Sequence, residues 1–241
     1  MSLVCGRARR LGKPWRACQR TSPRSSGRAA AARSSTHRRV RPGKITLSGK
    51  VLHYVRTSKI AWGGKSLAKD FRPPSSGGEV GPYYKELFQH VRDVLGNLKK
   101  HFPEYDGRGH EIVGFGWHQG WNDRVNQAAN DEYEKNMANF IRDVRKELAI
   151  EGLPFVIAET GMSGHKETHP RALSLMRAQA AVPKHEEFKG NVAFVGTKDF
   201  YRPPEVSPSG QSYHWNSNAE TYFLIGHGMG KAMIELVHEK K

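Results

Sequence analysis

Short apolar segments alternate with amphipathic helical patterns from residue 59 to residue 237, and this alternation leaves few folds open to the chain. Lys59-Ile-Ala-Trp62 reads as the end of a strand that runs into Gly63-Gly64. Ile112-Val-Gly-Phe-Gly-Trp117, Phe155-Val-Ile-Ala158 and Val192-Ala-Phe-Val195 are further short strands. Between them lie helical patterns. Gly81-Pro82 opens one, with proline at a permitted first-turn position and Leu87, Phe88, Val91, Leu95 and Leu98 on one face. Asp131 is placed to cap a second, whose face is Tyr133, Met137, Phe140, Ile141, Val144 and Leu148. His169-Pro170 opens a third, and residues 218–237 form the last. Strands that alternate with helices imply parallel βαβ units and an α/β three-layer sandwich with a parallel sheet, flavodoxin-like in outline.

In such a sheet, ligands bind beyond the carboxyl ends of the strands. The segments there are Trp62-Gly63-Gly64-Lys65-Ser66, the run from Trp117 to Asp123, Glu159-Thr160-Gly161 and Thr197-Lys198-Asp199. Gly64-Lys65-Ser66 fails as a phosphate loop, because Lys59 stands where that loop needs its first glycine. The two glycines otherwise mark a tight turn. Asn122 has two readings: its amide can donate to a developing oxyanion, or Asn122-Asp123 is an ordinary turn with Asp123 capping a helix. His214, just before the last helix, reads as a general base for a serine hydroxyl or as a surface histidine at a helix entry. His165 and His169 have metal-like spacing without a third ligand, so no metal is expected. Ser163 falls short of a nucleophile elbow, since its second glycine comes one residue early.

Charge divides the chain. Residues 1–69 hold 18 Lys/Arg and no acid, whereas the remainder holds 21 Lys/Arg against 23 Asp/Glu. The net charge of +16 therefore describes a leader and not the near-neutral body, which argues against a nucleic-acid-binding domain. Residues 1–58 read as a basic, low-order leader ahead of a domain over 59–241. That leader fits a basic tail, an organelle-targeting peptide, or a mis-set start or frame slip. No apolar run is long enough to span a membrane, and no secretory signal stretch follows Met1.

Three ordered blocks resemble the sialate O-acetylesterase-like family of the SGNH (GDSL-like) hydrolase superfamily, which includes acetylxylan esterases. They are Ala61-Trp-Gly-Gly-Lys-Ser-Leu67, Gly116-Trp-His-Gln-Gly-Trp-Asn-Asp123 and the run from Tyr213 to Gly226. Phe200-Tyr-Arg-Pro203 is similar to the segment before that family's final helix. The resemblance covers residues 59–237. It implies hydrolysis of O-acetyl esters on carbohydrate through a serine acyl-enzyme, with no cofactor. Gly63 or Gly64 would supply a main-chain N–H to the oxyanion hole, Gly120 and Asn122 would complete it, and His214 would be the base. The sequence leaves the compartment open: the chain as written fits the cytoplasm, and members of the family it resembles are often exported.

Two departures accompany the resemblance. The family's opening strand ends in Gly-Gln-Ser-Asn or Gly-Asp-Ser, and nothing in residues 1–58 matches it; Ser48 in Thr46-Leu-Ser-Gly49 is the nearest serine turn. The first strand and the nucleophile are thus expected to be missing. Superfamily members often carry an aspartate three residues before the base, where this chain has Gln211. Asp199 is the substitute orienting acid to examine. A non-catalytic carbohydrate- or protein-binding module derived from the same fold is the rival reading, and a nucleic-acid role for the leader is a second.

Overall fold

The computed structural model describes residues 2–6, 8–9, 45–47, 50–52, 56–107 and 109–238. Its strands are β1 (Ser2–Gly6), β2 (Ala8–Arg9), β3 (Ile45–Leu47), β4 (Lys50–Leu52), β5 (Arg56–Lys59), β6 (Glu111–Trp117), β7 (Phe155–Ala158) and β8 (Val192–Val195). Its helices are α1 (Pro82–Gly96), α2 (Leu98–His101), α3 (Trp121–Val125), α4 (Gln127–Asp131), α5 (Tyr133–Leu148), α6 (Pro170–Ala181) and α7 (Ala219–His238). Short 3-10 turns join several of them.

The main sheet has the order β5-β1-β6-β7-β8. β6, β7 and β8 are parallel, in register through Phe115↔Phe155 and Phe155↔Val192. β1 is antiparallel to both β5 and β6, so β5 points the same way as β6. Four strands therefore bring their carboxyl ends to one rim, and β1 alone runs against them. Part of the basic segment thus enters the sheet: Ser2–Gly6 fills the position between β5 and β6. β2, β4 and β3 form a separate small antiparallel sheet.

The period-2 alternation of β7 divides the core into two layers. Phe155 and Ile157 face α1, α5 and α6, and pack with Phe115, Trp117, Phe140, Leu87 and Leu175. Val156 faces α7 through Met233 and Leu236, and Ala158 packs with Trp215 and Ile225. The aromatic centre is dense. Phe115 stacks on Phe155 at 4.9 Å, and Phe140 lies 4.6 Å from Trp117. The α/β three-layer sandwich expected from the sequence is present.

Element boundaries differ in two instructive places. β5 ends at Lys59, because Ile60 and Trp62 turn inward and Trp62 packs 4.7 Å from Tyr83 and 6.1 Å from Phe71. Asp131 does not cap α5: it ends α4, accepting from Gln127 Nε2 at 2.7 Å, and Glu132 is the residue before the helix. The other starts agree with expectation. Pro82 opens α1, His169 Nδ1 accepts from Arg171 N at the head of α6, and Asn218 Oδ1 accepts from Thr221 N at the head of α7.

Close backbone approach sets one glycine apart. A Cβ on Gly81 would lie 2.3 Å from the Asp70 carbonyl oxygen and 2.5 Å from Arg72 N, both backbone atoms. Gly96, inside α1, has nothing within 4 Å of that position. Gly81→Ala should therefore cost about 2–3 kcal/mol by overpacking, whereas Gly96→Ala should gain roughly 0.5 kcal/mol from helix propensity. Urea unfolding of the two variants should show midpoints moving in opposite directions.

Candidate active site

The rim is assembled by a buried carboxylate. Asp123 sits on α3, just past β6, and is fully buried. Its Oδ2 accepts from Leu67 N at 2.8 Å and from Gln119 Nε2 at 2.6 Å, and its Oδ1 accepts from Ala68 N at 2.9 Å. The turn-and-cap reading of Asp123 is thus replaced by a long-range clamp. The same Gln119 amide donates to the Lys65 carbonyl at 2.9 Å. Burial pushes the Asp123 carboxyl up from its ordinary range, and the three donors only partly oppose that.

The clamp holds the loop after β5 against the loop after β6. Gly64 takes φ +69°, a left-handed conformation that favours glycine. The Asn122 side-chain amide donates to the Gly64 carbonyl, so these two sequence-predicted residues meet. Gly63 lies beside them in open space. Gly120 is enclosed: a Cβ there would fall 2.7 Å from both Leu175 Cδ2 and Thr160 Cγ2. Gly120 is therefore required by packing.

A second polar network secures the base of the same loop. Tyr133 OH donates to the Gln119 carbonyl at 2.9 Å and accepts from Trp117 Nε1 at 3.1 Å. The fully buried Gln179, on α6, donates to the Gln119 carbonyl at 3.0 Å and accepts from Thr160 N at 3.0 Å. At the ends of β7 and β8, Glu159 Oε2 accepts from Thr197 N at 2.9 Å. Sequence reading passed over Gln179 and Tyr133. They sit on helix faces that read as ordinary core, and only the fold brings them to the rim.

His214 lies in the turn Ser212–Ser217 and is exposed. Three consecutive residues after it, Trp215, Asn216 and Ser217, have φ of +50°, +52° and +56°. Left-handed conformation at a tryptophan is strained, and the surroundings enforce it. The Trp215 side chain is buried beneath α7 with Ile225. Asn216 Nδ2 donates to the Arg202 carbonyl at 2.9 Å, and Asn216 O accepts from Ser209 N at 3.0 Å. Tyr222 OH, on α7, donates to the His214 carbonyl at 3.1 Å. Tyr213 reaches across to Trp121, with ring centroids 5.4 Å apart. The His214 turn and the Asn122 loop thus share one end of the sheet.

Asp199 is not the partner of His214 in this structure. Its Oδ1 lies 2.6 Å from His165 Nε2, and both side chains are strongly exposed. The serines divide similarly. Ser66 donates its hydroxyl to Asp70 Oδ2 at 3.0 Å, and its N–H donates to the same oxygen. Burial raises the Asp70 carboxyl, but the two Ser66 bonds and nearby Lys65 bring it below its ordinary range. Ser163 precedes the short turn Gly164–Lys166. Ser48 lies outside the described residues. Among the described residues no group of three His, Cys, Asp or Glu could hold a metal ion, and no helix is long and apolar enough to cross a membrane.

His118 carries a feature that the motif alone hides. Its Nε2 is enclosed without a hydrogen-bond partner, and its ring lies 6.3 Å from that of Trp215. Burial, assisted by Lys59, lowers its pKa to about 4. A pKa depressed on folding contributes stability above the unfolded value near 6.5, which is lost as pH falls through about 4. Roughly 3 kcal/mol should disappear over that interval, and His118→Gln should flatten the profile. Urea midpoints measured from pH 7 to pH 4 test this. Asp123→Ala should leave the Leu67 and Ala68 N–H groups unpaired at a cost of about 3 kcal/mol. Hydrogen exchange should then show these two amides losing protection before the core strands do.

The family described as carbohydrate esterase, sialic acid-specific acetylesterase, matches residues 47–235. No curated protein sequence matches the chain. A crystal structure of an Arabidopsis thaliana protein is similar at 18% identity and a TM-score of 0.46, covering 72% of this chain. The chain spans 57% of that structure's length. With four-fifths of its length under the family match, including the glycine, Asn122 and His214 blocks, the chain belongs to the sialic acid-specific acetylesterase family of carbohydrate esterases.

Proposed function

We propose that this domain is a carboxylic-ester hydrolase of O-acetylated carbohydrate, of sialate or xylan type, whose nucleophile strand is missing from the chain as written. The observation that carries the reading is the contact of the Asn122 amide with the Gly64 carbonyl. It joins the two loops from which such an enzyme draws its oxyanion donors. Gly63 or Gly64 would offer a main-chain N–H, and Gly120 and Asn122 the remaining donors. Asn122 would turn its amide toward a tetrahedral oxyanion as charge develops there. His214, exposed beside Tyr213, would take the serine proton and return it to the departing sugar hydroxyl. Water would then release acetate from the acyl-enzyme by the same base. Asp199 would serve His214 only after leaving His165.

The rival reading, a non-catalytic carbohydrate- or protein-binding module, is favoured by the direction of β1. The carboxyl end of β1 points away from the rim, whereas a catalytic serine is expected after a strand that points toward it. Ser66 is no substitute, since its hydroxyl is bonded to Asp70 and helps to cap its own turn. Acetate release separates the readings. The chain as written should hydrolyse aryl acetates and acetylated sugars near the background rate, and an organophosphate should label no serine. A variant carrying a Gly-Gln-Ser-Asn strand at that position should be faster by orders of magnitude. In it, His214→Ala should abolish most activity and Asn122→Ala should cost about a hundredfold or more. Activity that ignores His214 would end the esterase reading; a labelled serine in the unaltered chain would end the missing-nucleophile claim.

A further inference from the structure

We propose that Trp121 and Tyr213 form an aromatic wall that binds the pyranose ring of the substrate, an inference that rests on the carbohydrate-esterase reading above. The two residues come from distant parts of the chain. Trp121 is the first residue of α3 and immediately precedes Asn122; Tyr213 immediately precedes His214. Their ring centroids lie 5.4 Å apart at an interplanar angle of 48°, so the rings meet as a corner and neither covers the other's face.

Each ring has a further partner. The Arg124 guanidinium lies 4.3 Å from the Trp121 ring centroid, and an ion pair at 3.9 Å links it to Glu167. Cation–π contact of this kind holds the indole in place. Tyr213 contacts the His214 ring at 4.5 Å. Yet Tyr213 keeps 38% of its surface in water. Rigid aromatic surface left partly wet at the edge of a polar site is suited to ligand binding, because covering it releases water at little entropic cost.

The chemistry of the corner selects the ligand class. A pyranose has an apolar C–H face and a belt of hydroxyls around its edge. Aromatic rings match the face, and the neighbouring amide of Asn122 and imidazole of His214 match the edge. The His214 ring lies 4.5 Å from that of Tyr213, and Asn122 follows Trp121 on α3, so the aromatic pair and the two polar residues belong to the same rim. The wall would therefore present an acetylated hydroxyl to the oxyanion donors, and it contributes nothing to an ester that lacks a sugar.

The test is binding to the full chain, which does not require turnover. The probes are an O-acetylated methyl xyloside, an O-acetylated N-acetylneuraminic acid and ethyl acetate, each followed by calorimetry or ligand-observed NMR at millimolar concentration. At least one sugar should bind, and Trp121→Ala and Tyr213→Ala should each weaken it about tenfold. Tyr213→Phe should retain most of the affinity. Phe223→Ala, which removes a 69%-exposed aromatic on α7, should change nothing and controls for non-specific loss. Unchanged melting temperatures would exclude misfolding as the cause. Sugar binding indifferent to both alanine variants, or no sugar binding by the unaltered chain, overturns the wall. The two readings fail separately. Sugar binding lost with the wall but no acetate release from the strand-restored variant removes the esterase and keeps the wall. Acetate release without a wall effect does the reverse.

Discussion

A single buried carboxylate determines the geometry at the rim. Asp123 is removed from water and accepts three hydrogen bonds, two from the main chain of the loop after β5 and one from Gln119. A buried anion is expensive unless its lone pairs are satisfied, and here the satisfying groups are those that must be positioned. Removing it would leave one buried and one half-buried N–H donor without their acceptor. Its stabilising role and its positioning role are thus the same set of bonds. Gln119 extends the clamp to the Lys65 carbonyl, and Gln179 and Tyr133 hold Gln119 from beneath. Every loop that carries a candidate oxyanion donor is tied into this network.

The sheet explains why the network has something to organise. β5, β6, β7 and β8 all point their carboxyl ends the same way, so their loops converge. Two helical layers bury both faces of β7, which allows four consecutive apolar residues there without a polar side. β1 is the exception in direction. It satisfies the backbone edges of both β5 and β6, closing a gap that would otherwise expose two rows of unpaired peptide groups in mid-sheet. Hydrogen bonding alone is met by a strand of either direction. Delivery to the rim of the loop that follows the strand is met only by a parallel one.

The legible part of this protein is the part written in local patterns. Strands and helices from residue 81 onward appear in the expected order, because apolar period and proline or asparagine starts are read within a few residues. The glycine, Asn122 and His214 blocks were also readable, each as a short run. What stayed hidden depends on distance in sequence. Asp123 looked like a turn residue, since its partners lie 55 and 56 positions away. Asp131 looked like a helix cap, but Gln127 on the preceding turn claims its carboxylate. The entry of Ser2–Gly6 into the sheet has no periodic signature at all. The left-handed turn at Trp215 had a partial signal in Asn216 and Ser217, residue types common in turns, but nothing marked the tryptophan itself.

That turn gives the structure its remaining asymmetry. Trp215 must adopt a left-handed backbone to bury its indole under α7, and Asn216 must follow it to reach the Arg202 carbonyl. The strain is borne by the packing of Trp215 and the hydrogen bond of Asn216. His214 is therefore carried on a rigid support while its own ring stays exposed. Among the described residues, contacts that place His214 come from the Tyr222 hydroxyl, the Tyr213 ring and the packing of Trp215. Close imidazole–carboxylate pairs are found elsewhere, between His165 and Asp199 at 2.6 Å and between His185 and Glu134 at 2.8 Å. The loops that carry Gly64, Gly120 and Asn122 are tied together by side-chain hydrogen bonds, whereas His214 is held through its backbone carbonyl and the buried Trp215 beside it.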